Sequence, residues 1–174
     1  MSQEVSAELM ARAQLIRLVV FDVDGVLTDG RLYLLPSGDE LKSFHARDGM
    51  GIRLLRDHGL ETAVISGRRS TVVAQRMAAL HVQHVYQGHD DKSIVLLDLL
   101  KTLDLQPSQA AYVGDDVIDI PVMRQVGLAV AVADAHPSVR AMAHWVTRLP
   151  GGFGAAREVC DVILSAQGYH DLPW

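Results

Sequence analysis

The sequence predicts an α/β fold: a doubly wound parallel sheet with helices on both faces and a β-hairpin inserted after the first strand. Three observations carry this. Short runs of Val, Ile, Leu and Ala alternate with stretches of helical period. The runs lack polar alternation, which suits strands buried on both faces. One segment, Gly30 to Phe44, breaks the alternation with the turn composition Pro36-Ser37-Gly38-Asp39.

In chain order, residues 1–14 read as a helix lying on the surface. The first strand is Arg17 to Phe21, and the hairpin follows. Asp48 reads as the cap of a helix running to Asp57, with Gly59 as its left-handed stop. A strand over Glu61 to Ile65 leads to a helix capped by Ser70, with Val73, Met77 and Leu80 on one face. His84 to Gln87 is the third strand. The next helix, Ser93 to Leu103, repeats Ile94, Leu97 and Leu100. Ala110 to Val113 is a strand, and Asp119 to Val126 a helix ending at Gly127. Leu128 to Val132 and Trp145 to Thr147 complete the strands. Phe153 to Ala166 is the closing helix, and 168–174 an irregular tail. Strand–helix alternation of this kind means a parallel sheet.

Composition bounds the rest. The length of 174 residues predicts a single domain over 1–174. Hydrophobic residues at 49% and charged residues at 21% exclude global disorder. No apolar run approaches the ~18 residues of a membrane span. The first residues carry Glu4 and Glu8 without a basic flank, which argues against a secretory signal. The expectation is a cytoplasmic protein with no membrane partner. A net charge of −5 gives no general footprint for nucleic acid. The single cysteine, Cys160, allows neither an intrachain disulfide nor a cysteine zinc cluster.

In an open α/β sheet the site lies beyond the carboxyl ends of the strands. There the sequence places Asp22-Val23-Asp24-Gly25, Ser66-Gly67-Arg68 and Gly114-Asp115-Asp116, with Asp119 shortly after and Lys92 opening a helix. Asp22 and Asp24, two apart in an extended segment, point the same way. Carboxylates that converge repel unless a cation or proton lies between them. A few hard oxygen ligands favour magnesium, and no His/Cys set points to zinc. Alone, the Asp-x-Asp pair reads equally as a turn or a cap. Together with Ser66, Lys92 and the second acidic cluster it reads as a catalytic rim.

The motifs Asp22-Val23-Asp24-Gly25-Val26-Leu27-Thr28, Ile65-Ser66-Gly67-Arg68, Lys92 and Gly114-Asp115-Asp116-x-x-Asp119 resemble, in order, those of the haloacid dehalogenase-like phosphotransferases, a Rossmann-like superfamily. Asp29-Gly30-Arg31-Leu32-Tyr33, Lys42-x-Phe44, Arg47-Asp48-Gly49-Met50-Gly51, Gln87-Gly88 and Gly151-Gly152-x-Gly154-x-x-Arg157-Glu158 narrow the resemblance to the 3-deoxy-D-manno-octulosonate 8-phosphate phosphatases. It covers nearly the whole chain, apart from the first fourteen residues.

The resemblance implies a magnesium-dependent phosphatase of lipopolysaccharide precursor synthesis, with no separate cap domain. It implies Asp22 as nucleophile and Asp24 as general acid and base. Asp22, Asp115 and the backbone carbonyl of Asp24 are the implied metal ligands. Ser66 and Lys92 would serve the phosphoryl oxygens, with Asp116 and Asp119 behind them. Substrate contact is implied for Asp24, His45, Ala46, Arg47, Asp48, Gly49, Arg53, Arg68, Arg76 and Lys92. A homotetramer is implied, whose hairpins pack together; the tail, 168–174, reads equally as a segment that reaches a neighbouring active site and as a frayed end. Two alternatives remain open from the sequence. One is another sugar-acid phosphate as substrate. The other is a non-catalytic oligomerisation module like those fused to sugar-acid cytidylyltransferases, which the full set of Asp22, Asp24, Lys92 and Asp115 argues against.

Overall fold

The computed structural model describes residues 6–169. Its frame is a six-stranded, all-parallel sheet of β1 (Leu18–Phe21), β4 (Glu61–Ser66), β5 (His84–Gln87), β6 (Ala110–Gly114), β7 (Leu128–Ala131) and β8 (Trp145–Val146), in the order β5-β4-β1-β6-β7-β8. The expected parallel sheet is therefore present. β1, β6 and β7 are buried at every position, as their unbroken apolar runs require.

The helices are α1 (Ala7–Gln14), α2 (Ala46–Asp57), α3 (Thr71–Ala79), α4 (Lys92–Thr102), α5 (Ile120–Met123), α6 (Pro137–Met142) and α7 (Ala155–Ala166). α1, α2 and α7 pack together, and α4 packs with α5. The chain crosses from β1 out to β5, then from β6 out to β8 in the opposite direction. Right-handed crossovers in opposite directions put their helices on opposite faces. α7 buries the stripe Ala156, Val159, Cys160, Ile163 and Leu164. Gly51 of α2 lets it approach, because a Cβ there would press on Cys160 and Arg157.

The hairpin insertion is also present, with β2 (Tyr33–Leu34) and β3 (Glu40–Leu41) pairing antiparallel. Such short strands are marginal alone. Leu32, Tyr33, Leu34, Leu35 and Leu41 are all exposed.

Several boundaries differ from the sequence expectation. α2 starts at Ala46, capped by the His45 side chain, which accepts from the Arg47 N–H at 3.2 Å. Asp48 thus lies inside the helix. Its carboxylate, 2% exposed, reaches across to α7 and accepts from the Arg157 N–H at 2.8 Å. Gly154, the residue that starts α7, has no side chain to do this. α4 begins one residue early, at Lys92, because Asp91 caps it. The expected helix Asp119–Val126 is a 3-10 turn, Val117–Asp119, running into the short α5. α6 has no counterpart in the sequence reading. α1 is not merely superficial, since Leu9 and Ala13 are buried. Residues 1–5 of the expected N-terminal extension and 170–174 of the tail lie outside the described residues.

The capping role of Asp48 has a measurable consequence. Asp48→Ala should lower stability by about 1–2 kcal/mol, the usual cost of losing such a cap. Asp48→Asn, which keeps an acceptor oxygen, should recover at least half of that. Urea unfolding of the variants checks this; equal midpoints for Asp48→Ala and the unaltered protein would contradict it.

Candidate active site

β1 lies between β4 and β6, where the two halves of the winding diverge. The crevice at the carboxyl ends of β1 and β6 is the switch point at which open α/β sheets bind ligands. The loop after β1 carries Asp22 and Asp24, and that after β6 carries Asp115 and Asp116. β4 ends in Ser66, followed by Arg68. These six residues line one cleft of about 280 Å³.

Beneath the cleft lies one buried ammonium. Lys92, at the first turn of α4, is 3% exposed. Its Nζ donates to Asp22 Oδ1 at 2.8 Å and to Asp119 Oδ1 at 2.7 Å. Asp119 has no exposed surface. Its Oδ1 also accepts from the Tyr112 hydroxyl at 2.8 Å, and its Oδ2 from the N–H groups of Asp115 at 3.0 Å and Asp116 at 3.2 Å. Asp119 therefore holds Lys92 and folds the acidic loop, with all its oxygens engaged. Asp116 does not touch Lys92; its carboxylate caps the 3-10 turn through the Val117 N–H.

The remaining acids are crowded. Oxygens of Asp22, Asp115 and Asp119 lie within 4.8 Å of one another. Burial holds the Asp22 carboxyl up at about 6, against an ordinary 3.8, although Lys92 pulls it down. Burial together with Asp22, Asp119 and Asp116 holds Asp115 up at about 8. Burial also works against the charge on Lys92, but Asp22 and Asp119 offset it and its pKa is raised. One Asp115 oxygen, Oδ1, is buried with no hydrogen-bond partner. An orphaned carboxylate oxygen beside a second carboxylate is what a hard divalent cation requires. The donor set fits one. Asp22 and Asp115 have lone pairs free for it; Asp119 does not. Gly25, at φ +92°, leaves room for this arrangement, because a Cβ there would collide with the Asp115 carboxylate.

The sign of the charge coupling is definite. An acid whose folded pKa is raised stabilises the fold while it keeps its proton. That contribution is full below the ordinary 3.8 and is lost as pH rises through the folded values, about 6 and about 8. A cation that takes the ionised carboxylates restores what is lost.

Asp24 faces the hairpin instead. Its Oδ1 accepts from Lys42 Nζ, and its Oδ2 lies 3.7 Å from Arg68 Nε. Arg68 also reaches Glu40 at 3.3 Å, and Lys42 lies 3.5 Å from Glu40. Lys92 and Arg68 are the bases the sequence places at this rim; the structure adds Lys42. Lys42, Glu40 and Tyr112 were not among the candidate site residues. The signal for the first two was available. Glu40 in β3 and Lys42 just past its end flank Leu41 as the charged positions of a leucine-rich hairpin.

Of the expected substrate residues, only Asp24 and Arg68 line this cleft, with Lys92 below it. His45, Asp48, Gly49 and Arg76 gather instead at a second place with Phe44, Ile52 and Met77. Gly49 accommodates Arg76, which lies over the Phe44 ring at 5.9 Å. Ala46 and Arg53 are exposed on α2. Arg47 lines another cavity with Arg148 and Arg157.

Comparison with known proteins gives this geometry a family. A family model described as haloacid dehalogenase-like hydrolase matches residues 81–150. The chain is 53% identical over 167 residues to the 3-deoxy-D-manno-octulosonate 8-phosphate phosphatase of Escherichia coli K12, covering 96% of this chain and 89% of that one. The crystal structure of the same phosphatase from Yersinia pestis superposes with a TM-score of 0.93 at 52% identity, covering 94% of this chain and 88% of the other. That of Moraxella catarrhalis, in complex with magnesium ion, phosphate ion and KDO, superposes with a TM-score of 0.92 at 39% identity, covering 94% of each chain. With its acidic crevice at the switch point and this likeness along nearly its full length, the chain belongs to the 3-deoxy-D-manno-octulosonate 8-phosphate phosphatase family of the haloacid dehalogenase-like hydrolases.

Proposed function

We propose that the protein hydrolyses 3-deoxy-D-manno-octulosonate 8-phosphate to the free sugar acid and phosphate, in lipopolysaccharide precursor synthesis, through a phosphorylated Asp22. The observation that carries this reading is the pairing of a buried carboxylate, Asp22, with Lys92 on one side and the unpartnered oxygen of Asp115 on the other.

Asp22 attacks phosphorus while the ester bond to the sugar breaks. Asp24, on the hairpin side of the cleft, gives its proton to the departing sugar oxygen. It then takes a proton from the water that releases phosphate from Asp22. Lys92 and Ser66 hold the phosphoryl oxygens through an ammonium and a hydroxyl. Magnesium, held by Asp22, Asp115 and the backbone carbonyl of Asp24, supplies the positive charge that lets an anionic ester approach an anionic nucleophile. Arg68, half-exposed at the mouth, pairs with the sugar carboxylate by its planar fork.

A homotetramer reconciles the rest. Among the described residues, the hairpin segment lines the cleft through Gly30 and Leu32, and its leucines are exposed. Packing hairpins together buries them. It also gives His45, Arg47, Arg53 and Arg76, which stay outside the cleft of their own chain, a neighbour's cleft to serve.

Asp22→Asn should remove the attacking charge at nearly constant volume and lower kcat by about three orders of magnitude or more. Asp24→Asn should leave Asp22 phosphorylated for longer, since the water lacks its base. Rapid-quench labelling with a radioactive ester checks both; near-normal turnover in Asp22→Asn would contradict the covalent route. Light scattering should give about 76 kDa for the active protein, four chains of 19.0 kDa. A fully active monomer would contradict the shared cover.

A further inference from the structure

Lys42 comes from the hairpin, not from the sheet rim that supplies the acids. Its side chain is only 2% exposed. A lysine so enclosed is costly unless its charge is paired. Its partners are Asp24 and Glu40, and Arg68 closes the set. The sequence of contacts is a ring: Asp24 Oδ1 to Lys42, Lys42 to Glu40 Oε2 at 3.5 Å, Glu40 Oε2 to Arg68 at 3.3 Å, Arg68 to Asp24 Oδ2 at 3.7 Å. Glu40 and Lys42 lie two apart, so both project from one side of the strand.

The two oxygens of Asp24 are therefore unequal. An ammonium only donates, so Oδ1 accepts from Lys42 whether or not the carboxyl carries a proton. Arg68 lies beyond hydrogen-bonding distance of Oδ2 and is 48% exposed. Among the described residues, Oδ2 is the oxygen of Asp24 that accepts no hydrogen bond.

We propose that Lys42 is a positioning residue for the reaction: by occupying Oδ1 of Asp24 it orients Oδ2 toward the leaving oxygen. This rests on the reading of Asp24 as acid and base. In the first half of the reaction the Oδ2 proton passes to the ester oxygen as the phosphorus–oxygen bond breaks and the bond to Asp22 forms. In the second half Oδ2 takes a proton from water. Lys42 neither gains nor loses one. The hairpin thereby does more than cover the cleft, since it fixes the group that protonates the leaving sugar.

The test compares leaving groups. A sugar alkoxide needs the proton; nitrophenolate departs without it. Lys42→Met keeps a long unbranched side chain without the charge. It should slow single-turnover release of the sugar from its phosphate by about 10- to 100-fold, while release of nitrophenol from p-nitrophenyl phosphate stays within about 3-fold. Lys42→Arg should restore most of the loss. Equal slowing of both leaving groups would overturn the proposal and leave Lys42 a hairpin tether, and no slowing of either would overturn it too. Asp24→Asn is measured beside it. A leaving-group-selective loss in Asp24→Asn without one in Lys42→Met defeats the role of Lys42 alone. Absence of selectivity in Asp24→Asn defeats the acid role of Asp24 and the proposal with it.

Discussion

The structure turns on one electrostatic constraint: acidic side chains crowd the ends of two adjacent buried strands around the buried ammonium of Lys92. Lys92 touches Asp22 and Asp119, but Asp115 shares the same small volume without a cation of its own. Charges enclosed this way are tolerable only when each is paired or neutralised. The parallel sheet creates the problem, because it brings the ends of β1 and β6 together. It also solves part of it. Asp119 folds back so that the N–H groups of its own loop and the Tyr112 hydroxyl satisfy it.

What remains is a site poised for an anion that brings or shares a cation. Leaving Asp22 unpaired in this enclosure would cost stability. Lys92 and a divalent cation would together favour its ionised form. Around this buried floor the hairpin is the exposed element. It holds to the rim through the ring of Asp24, Lys42, Glu40 and Arg68, while its leucines face outward. The division places Asp22 on the sheet rim and Lys42, the partner of Asp24, on the hairpin.

Most of the fold and the acidic rim were legible in the sequence for one reason. In a parallel sheet, the residue after a buried strand always lies at the same edge of the molecule, so reading strand ends reads the site. Asp22, Ser66 and Asp115 were found that way. What was missed depends on contacts between distant segments. Asp48 looks like the cap of its own helix, yet it serves α7, 109 residues away. Tyr112 sits inside an apolar run and reads as core until its hydroxyl meets Asp119. Lys42 meets Asp24 only after the hairpin folds back. α6 is a short helix with one buried residue, Val139, and so has no period to detect.

At this site protons and a divalent cation would compete for the same carboxylates. Calorimetric titration of the metal-free protein with magnesium, in buffers of different ionisation heat, tests it most directly. Burial and the neighbouring Asp22, Asp119 and Asp116 hold the Asp115 carboxyl up at about 8, so it keeps its proton to a higher pH than an ordinary carboxyl. Magnesium binding should then release protons, with affinity rising from pH 6 to pH 8 as the carboxylates ionise. Binding that releases no protons at pH 7, with an affinity unchanged between pH 6 and pH 8, would contradict the account.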